Sequence, residues 1–282
     1  MMRRARPVLM LTWLLSACSG TGVLNALAPS QGISVTSGVP YADGDRHDVD
    51  IYRPARPGAP VVVFLYGGGW RAGNREMYRF AGAALANRGF VVVIPDYRVY
   101  PEASFPGFVE DAAKAVAWTK AHAGEYGGDP GRLFLMGHSA GAHIAAMLTL
   151  DKSFLGRVGL DPDRAIAGMI GLSGPYDFLP LNDRALEPIF APAGDLALTQ
   201  PITFARPGAP PMLLLTGESD TVVYPRNSLN LTARLKALGG RVEVRQYSGV
   251  GHMTIVGALS GALSWMAPIL RDCVAFMRAE GA

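Results

Sequence analysis

The 282-residue chain predicts an α/β fold, a mostly parallel, doubly wound sheet with helices on both faces. Three observations carry this expectation. Continuous apolar, β-branched runs such as "APVVVFLYG" (59–67) and "FVVVIPD" (90–96) suit strands covered on both faces, as parallel sheets require. Amphipathic or small-residue segments of helical length separate these runs, which implies right-handed strand–helix–strand units. A composition of 49% hydrophobic and 17% charged residues supports a large buried core and argues against a disordered chain.

Residues 1–17 show the three-part pattern of an export signal. Arg3, Arg4 and Arg6 lead into an apolar stretch from Val8 to Leu15, and small residues follow up to Cys18. The stretch is too short to span a bilayer. "LSAC" (15–18) resembles the lipobox of bacterial lipoproteins. That resemblance implies cleavage before Cys18, a lipid on the new terminal cysteine, and a periplasmic or outer-membrane location with the membrane as partner. The three arginines account for the whole formal charge of +3. The remainder is balanced, and nothing in it points to nucleic acid. With Cys18 lipidated, Cys273 has no partner for an intramolecular disulfide and reads as a buried helix residue.

Residues 18–32 read as a tether of small and polar residues, and 33–282 as one domain. "ISVTSGVPY" and "RHDVDIYRP" alternate as half-exposed antiparallel strands do. After the run at 59–67 come a helix over 76–88, the strand 90–96, and an amphipathic segment, "FPGFVEDAAKAVAWTKAHAGEY". The strand "RLFLMG" (132–137) leads into a small-residue helix from Ala140, and "AIAGMIGLS" (165–173) is the next strand. Residues 174–210 break the rhythm with Pro, Leu and Phe. They read as a short helical insertion over the C-terminal edge of the sheet, where open α/β sheets bind ligands. "PMLLLTG" (211–217), a helix over 225–238 and "RVEVRQYS" (241–248) complete the alternation.

The chemistry concentrates at three loops. "GHSAG" (137–141) matches G-x-S-x-G, a weak signal alone, but it lies between a strand and a helix, where a tight turn exposes the Ser139 hydroxyl. A serine capping a helix would not need both Gly137 and Gly141. Such a serine needs a base held by a third group. Of five histidines, His47, His122, His138 and His143 precede or belong to the core elements, while His252 sits in a Gly-rich loop after the last strand. "GESDTVV" offers Asp220 as the acid, with Glu218 in reserve. The chain order Ser139, Asp220, His252 then fits nucleophilic catalysis. The glycines of "LYGGGW" (65–70) end a strand and present bare backbone. With the N–H of Ala140, they would stabilise an oxyanion. No metal site or cofactor motif is evident.

These motifs resemble the α/β-hydrolase group of hormone-sensitive lipases and carboxylesterases, over roughly Val39 to Arg278. The resemblance rests on "YGGGW", "PDYRVYPEASFP", "GGDPGRLFLMGHSAGAH", "LSGPYDF" and "GESDTVVYP". Within the group the chain is similar to feruloyl and acetyl-xylan esterase-like enzymes, prenylcysteine methylesterases and kynurenine formamidases. The resemblance implies an α/β-hydrolase fold, the triad Ser139, Asp220 and His252, and oxyanion donors at Gly68, Gly69 and Ala140. It implies hydrolysis of small-molecule esters without a cofactor, with amide or formamide cleavage or an inactive binding role as alternatives. The family's histidine before the glycines is Tyr66 here; Tyr66 and Trp70 are expected to support the loop. Neither oligomeric state nor substrate identity is legible.

Overall fold

The computed structural model describes residues 21–28 and 31–282, so residues 1–17, expected to be an export signal, Cys18 and part of the expected tether lie outside the described residues. The chain builds an eight-stranded sheet. Its strands are β1 (Ile33–Pro40), β2 (Asp48–Pro54), β3 (Ala59–Leu65), β4 (Val91–Pro95), β5 (Gly128–His138), β6 (Gly168–Leu172), β7 (Met212–Gly217) and β8 (Val242–Tyr247). They lie in the order β1-β2-β4-β3-β5-β6-β7-β8. β2 is antiparallel to both β1 and β4, and every other pairing is parallel.

Burial explains this order. Every residue of β4, β6 and β7 is buried, as a strand covered on both faces must be. β1 and β8 at the two edges are half-exposed. The helix Ala140–Leu150 is buried along its whole length and carries no charged residue, so it can lie under the middle of the sheet. Gly141 permits its close approach, since a Cβ there would stand 2.0 Å from the Leu65 carbonyl oxygen of β3. Parallel pairing of β3 with β5 brings the ends of the two strands side by side, with Leu65 opposite Gly137.

One expectation is corrected in detail. The helix over 76–88 is a 3-10 turn (Arg75–Tyr78) followed by an α-helix (Arg79–Ala86). Between 174 and 210 the chain forms only short helical pieces, Glu187–Phe190 among them, each three or four residues long. Pro188, Pro192 and Pro201 stand in the first turns of three of them, where proline is tolerated, and each proline stops the preceding piece from continuing.

Candidate active site

Ser139 connects β5 to the Ala140–Leu150 helix with φ 54° and ψ −120°. A non-glycine residue held there costs about 1–3 kcal/mol, which surrounding contacts must offset. The offset is visible. The Ser139 N–H donates to the Leu172 carbonyl (2.9 Å) at the end of β6, and the His143 N–H donates to the Ser139 carbonyl (3.1 Å). Gly137 is bare because a Cβ would meet Gly141 at 2.4 Å.

His252 opens the short helix His252–Gly257, just past β8. Its Nε2 lies 2.9 Å from the Ser139 Oγ, and its Nδ1 lies 2.9 Å from Asp220 Oδ2. Asp220 follows β7, where Gly217 lets the strand end touch the His252 loop; a Cβ at Gly217 would stand 2.1 Å from the Val250 carbonyl oxygen. The other carboxylate oxygen, Oδ1, accepts the N–H groups of Val222 (3.0 Å) and Val223 (2.9 Å). Burial raises the carboxyl pKa, but the hydrogen bond and charge of His252 and the Val223 N–H outweigh it and hold Asp220 below the usual carboxylate range. An ionised Asp220 only accepts, so His252 carries its proton on Nδ1 and presents a free lone pair to Ser139. The alternative acid, Glu218, is exposed and makes no bond to His252.

The glycine loop lies beside this line. Gly68 (φ 146°), Gly69 (φ 61°) and Trp70 (φ 57°) form a turn closed by the N–H groups of Arg71 and Ala72 donating to the Gly68 carbonyl. A Cβ at Gly68 would meet the Ala72 oxygen at 2.0 Å, so the loop is glycine by necessity. Among the described residues, the N–H groups of Gly68, Gly69 and Ala140 donate to no protein acceptor. The Gly67 N–H is different: it donates to the Tyr78 hydroxyl at 3.1 Å.

Tyr66 is fully buried and stacked on Tyr97, and its hydroxyl accepts from Arg46 Nη2 at 3.0 Å. Trp70 packs edge-on against His143 (5.1 Å between centroids) and Phe190 (4.8 Å), and lies 5.9 Å from Phe178. None of the other four histidines hydrogen-bonds to Ser139 Oγ. His47 pairs with Asp111, His122 stacks on Trp118, and His143 donates from Nε2 to the Thr199 carbonyl at 2.8 Å. Sequence reasoning passed over two neighbours of the line, Tyr78 and His138. A histidine at the variable position of G-x-S-x-G was the one available signal for them. Among the described residues no group of three or more His, Cys, Asp or Glu side chains is placed to hold a metal ion.

This sheet, with a serine, histidine and aspartate in hydrogen-bonded line above its C-terminal edge, defines an α/β-hydrolase of the carboxylesterase-like group. Residues 49–235 match the BD-FAE family, and the chain belongs to it. An isoprenylcysteine alpha-carbonyl methylesterase of Arabidopsis thaliana is 32% identical over 240 residues, covering 77% of this chain and 56% of the relative. Esterase LipC of Mycobacterium tuberculosis is 28% identical over 240 residues, covering 75% and 58% respectively. The chain thus spans somewhat more than half the length of these curated relatives. A truncated carbohydrate esterase from gut microbiota shares the fold with a TM-score of 0.79 at 22% identity, over 90% of this chain and 99% of that one.

Proposed function

We propose that the protein is a serine carboxylesterase that cleaves small carboxylic esters through an acyl-enzyme. The observation that carries this reading is the continuous line from Ser139 Oγ through His252 to Asp220, with the unpaired N–H groups of Gly68, Gly69 and Ala140 beside it. His252 takes the Ser139 proton as the serine oxygen bonds the ester carbonyl, and Asp220 stabilises the resulting imidazolium. The developing oxyanion is received by the three N–H donors, each worth about 3 kcal/mol in the transition state. His252 then gives its proton to the leaving alcohol. Water, deprotonated by the same histidine, releases the acid and restores Ser139. The esterase names of the relatives support the same chemistry.

The test is hydrolysis of p-nitrophenyl acetate and butyrate by the purified full chain, beside Ser139→Ala. Turnover that depends on Ser139, together with covalent labelling by a fluorophosphonate, is expected. Turnover unaffected by Ser139→Ala would defeat the reading. A second proposal concerns location: the lipobox-like "LSAC" motif supports export and lipid attachment at Cys18. Labelled palmitate should enter the protein and be lost in Cys18→Ala.

A further inference from the structure

His138 and Tyr78 contribute no atom to the line from Ser139 to Asp220, yet both are buried against it, at 2% and 3% exposure. The His138 Nε2 lies 3.0 Å from the backbone carbonyl oxygen of His252, and its Nδ1 lies 3.1 Å from the Tyr78 hydroxyl. That hydroxyl is in turn 3.1 Å from the Gly67 N–H. Every proton in this series is assigned by its neighbours. A carbonyl only accepts, so His138 Nε2 carries hydrogen. Burial, followed by the nearby charge of His252, pushes the His138 pKa down to about 3, so the ring is neutral and Nδ1 is an acceptor. The Tyr78 O–H must then donate to Nδ1, which leaves its oxygen to accept the Gly67 N–H. The chain runs one way: Gly67 N–H to Tyr78, Tyr78 O–H to His138, His138 N–H to the His252 carbonyl.

We propose that Tyr78 and His138 are positioning residues that fix the glycine loop relative to the base, a role that rests on Ser139, His252 and Asp220 acting as the triad. The oxyanion donors at Gly68 and Gly69 start one residue after Gly67, and the base is His252 itself. The two ends of the chain are thus the two parts of the site whose relative placement sets the barrier, and misplacement by about 1 Å can cost roughly a hundredfold. The backbone has been shaped around this contact. A Cβ at Gly67 would stand 2.8 Å from His138 Nδ1 and 3.1 Å from the Ser139 Cβ. The first glycine is therefore bare for the His138 ring, and the next two for the loop turn. The His138 and His252 rings also lie 4.8 Å apart, so a neutral His138 leaves room for His252 to become positive during the reaction.

The test is a double-mutant cycle in the full chain with Tyr78→Phe, His138→Leu and their combination, plus His138→Gln. Gln keeps a donor for the His252 carbonyl and an acceptor for Tyr78. Kinetics on p-nitrophenyl acetate should show kcat reduced roughly ten- to a hundredfold in Tyr78→Phe and in His138→Leu, with KM within twofold of the parent. The rate of fluorophosphonate labelling should fall in parallel. The double variant should lose no more than the worse single, since a chain is broken once, and His138→Gln should recover most of kcat. The inference fails if Tyr78→Phe keeps kcat within twofold, if the two losses multiply, or if Leu and Gln behave alike. A parent enzyme without Ser139-dependent turnover would instead defeat the esterase reading, so the two failures are distinguishable.

Discussion

Tyr66 lies flat on Tyr97, with ring centroids 4.4 Å apart and planes 15° from parallel, and the Tyr97 hydroxyl donates to the Tyr66 carbonyl at 2.6 Å. The Tyr66 hydroxyl points to Arg46 and to the Tyr97 backbone, whose N–H donates to it at 3.3 Å. Its side chain holds up the strand end from which the glycine loop leaves and makes no bond to Ser139, His252 or Asp220. Tyr66→Phe is therefore expected to act on stability. It leaves a buried Tyr97 N–H without its acceptor, at a cost of about 1–3 kcal/mol, while Arg46 keeps the Tyr97 and Gly73 carbonyls. Thermal unfolding should shift down by several degrees, with kcat/KM within about threefold. A tenfold loss of kcat at unchanged Tm would contradict this account.

What could be read from the sequence and what could not divide along a physical line. The strands at 59–67, 90–96 and 211–217 were legible because burial on both faces leaves a continuous apolar run, a local record of a tertiary fact. Ser139 was legible because its backbone angles demand glycines at fixed offsets, and His252 and Asp220 because chain order restricts the choice. Tyr78 was not, since its partners are Gly67 and His138, and no local pattern records which hydroxyl will meet which ring. The same limit explains "GGG": three identical residues have different jobs, with the Gly67 N–H engaged by Tyr78 and those of Gly68 and Gly69 left unpaired.

Asp220→Asn should keep the loop and lose the chemistry. An amide can still accept the Val222 and Val223 N–H groups, so the turn persists. It no longer enforces a proton on His252 Nδ1, nor does it stabilise the imidazolium. A fall in kcat of roughly 10⁴-fold is expected on p-nitrophenyl acetate, with a modest drop in Tm at neutral pH because the stabilising carboxylate–His252 contact is lost. The lowered carboxyl pKa adds a pH effect of definite sign. The folded state holds Asp220 ionised better than the unfolded chain does, so its contribution is present above about pH 4 and lost as pH falls through the folded value. The parent should lose more stability than Asp220→Asn over that acid window.

Two buried histidines set a second pH dependence, at higher pH. Burial pushes His138 down to about 3 and His143 to about 4, the latter opposed by its bond to the Thr199 carbonyl. In the unfolded chain both would take up a proton near pH 6.5. The unfolded state then binds more protons than the folded state below that pH, so stability is full above about 6.5 and declines as pH falls towards 4. Each histidine contributes a slope of about 1.4 kcal/mol per pH unit in that window. Urea midpoints measured from pH 7.5 to 4.5 should show this decline, and His143→Gln should remove about one proton's share of the slope. An unchanged slope in that variant would show that His143 is not held neutral.

The aromatic wall next to the glycine loop leads to a prediction about acyl length. Trp70 follows Gly69 directly, and His143 stands one helical turn after Ser139, so a ring packed on both is tied to the glycine loop and to the nucleophile's helix. Phe178 packs on both from the 174–210 segment. Its ring centroid is 5.9 Å from Trp70, 5.8 Å from His143 and 5.4 Å from Phe190. It is half-buried, whereas Phe190 beneath it is fully buried. The two should therefore respond differently to truncation. Phe190→Ala opens a cavity in the core and should cost about 3–5 kcal/mol of stability. Phe178→Ala removes a ring already partly in contact with solvent, so the main effect is added room beside Trp70. Because each methylene accommodated by an apolar pocket is worth about 1–3 kcal/mol, the ratio of kcat/KM for p-nitrophenyl hexanoate over acetate should rise at least about fivefold. If Phe178→Ala changes both esters equally, the ring does not limit the acyl chain, and the wall must be sought among the exposed residues beside Asp220 and His252, Val222 and Met253.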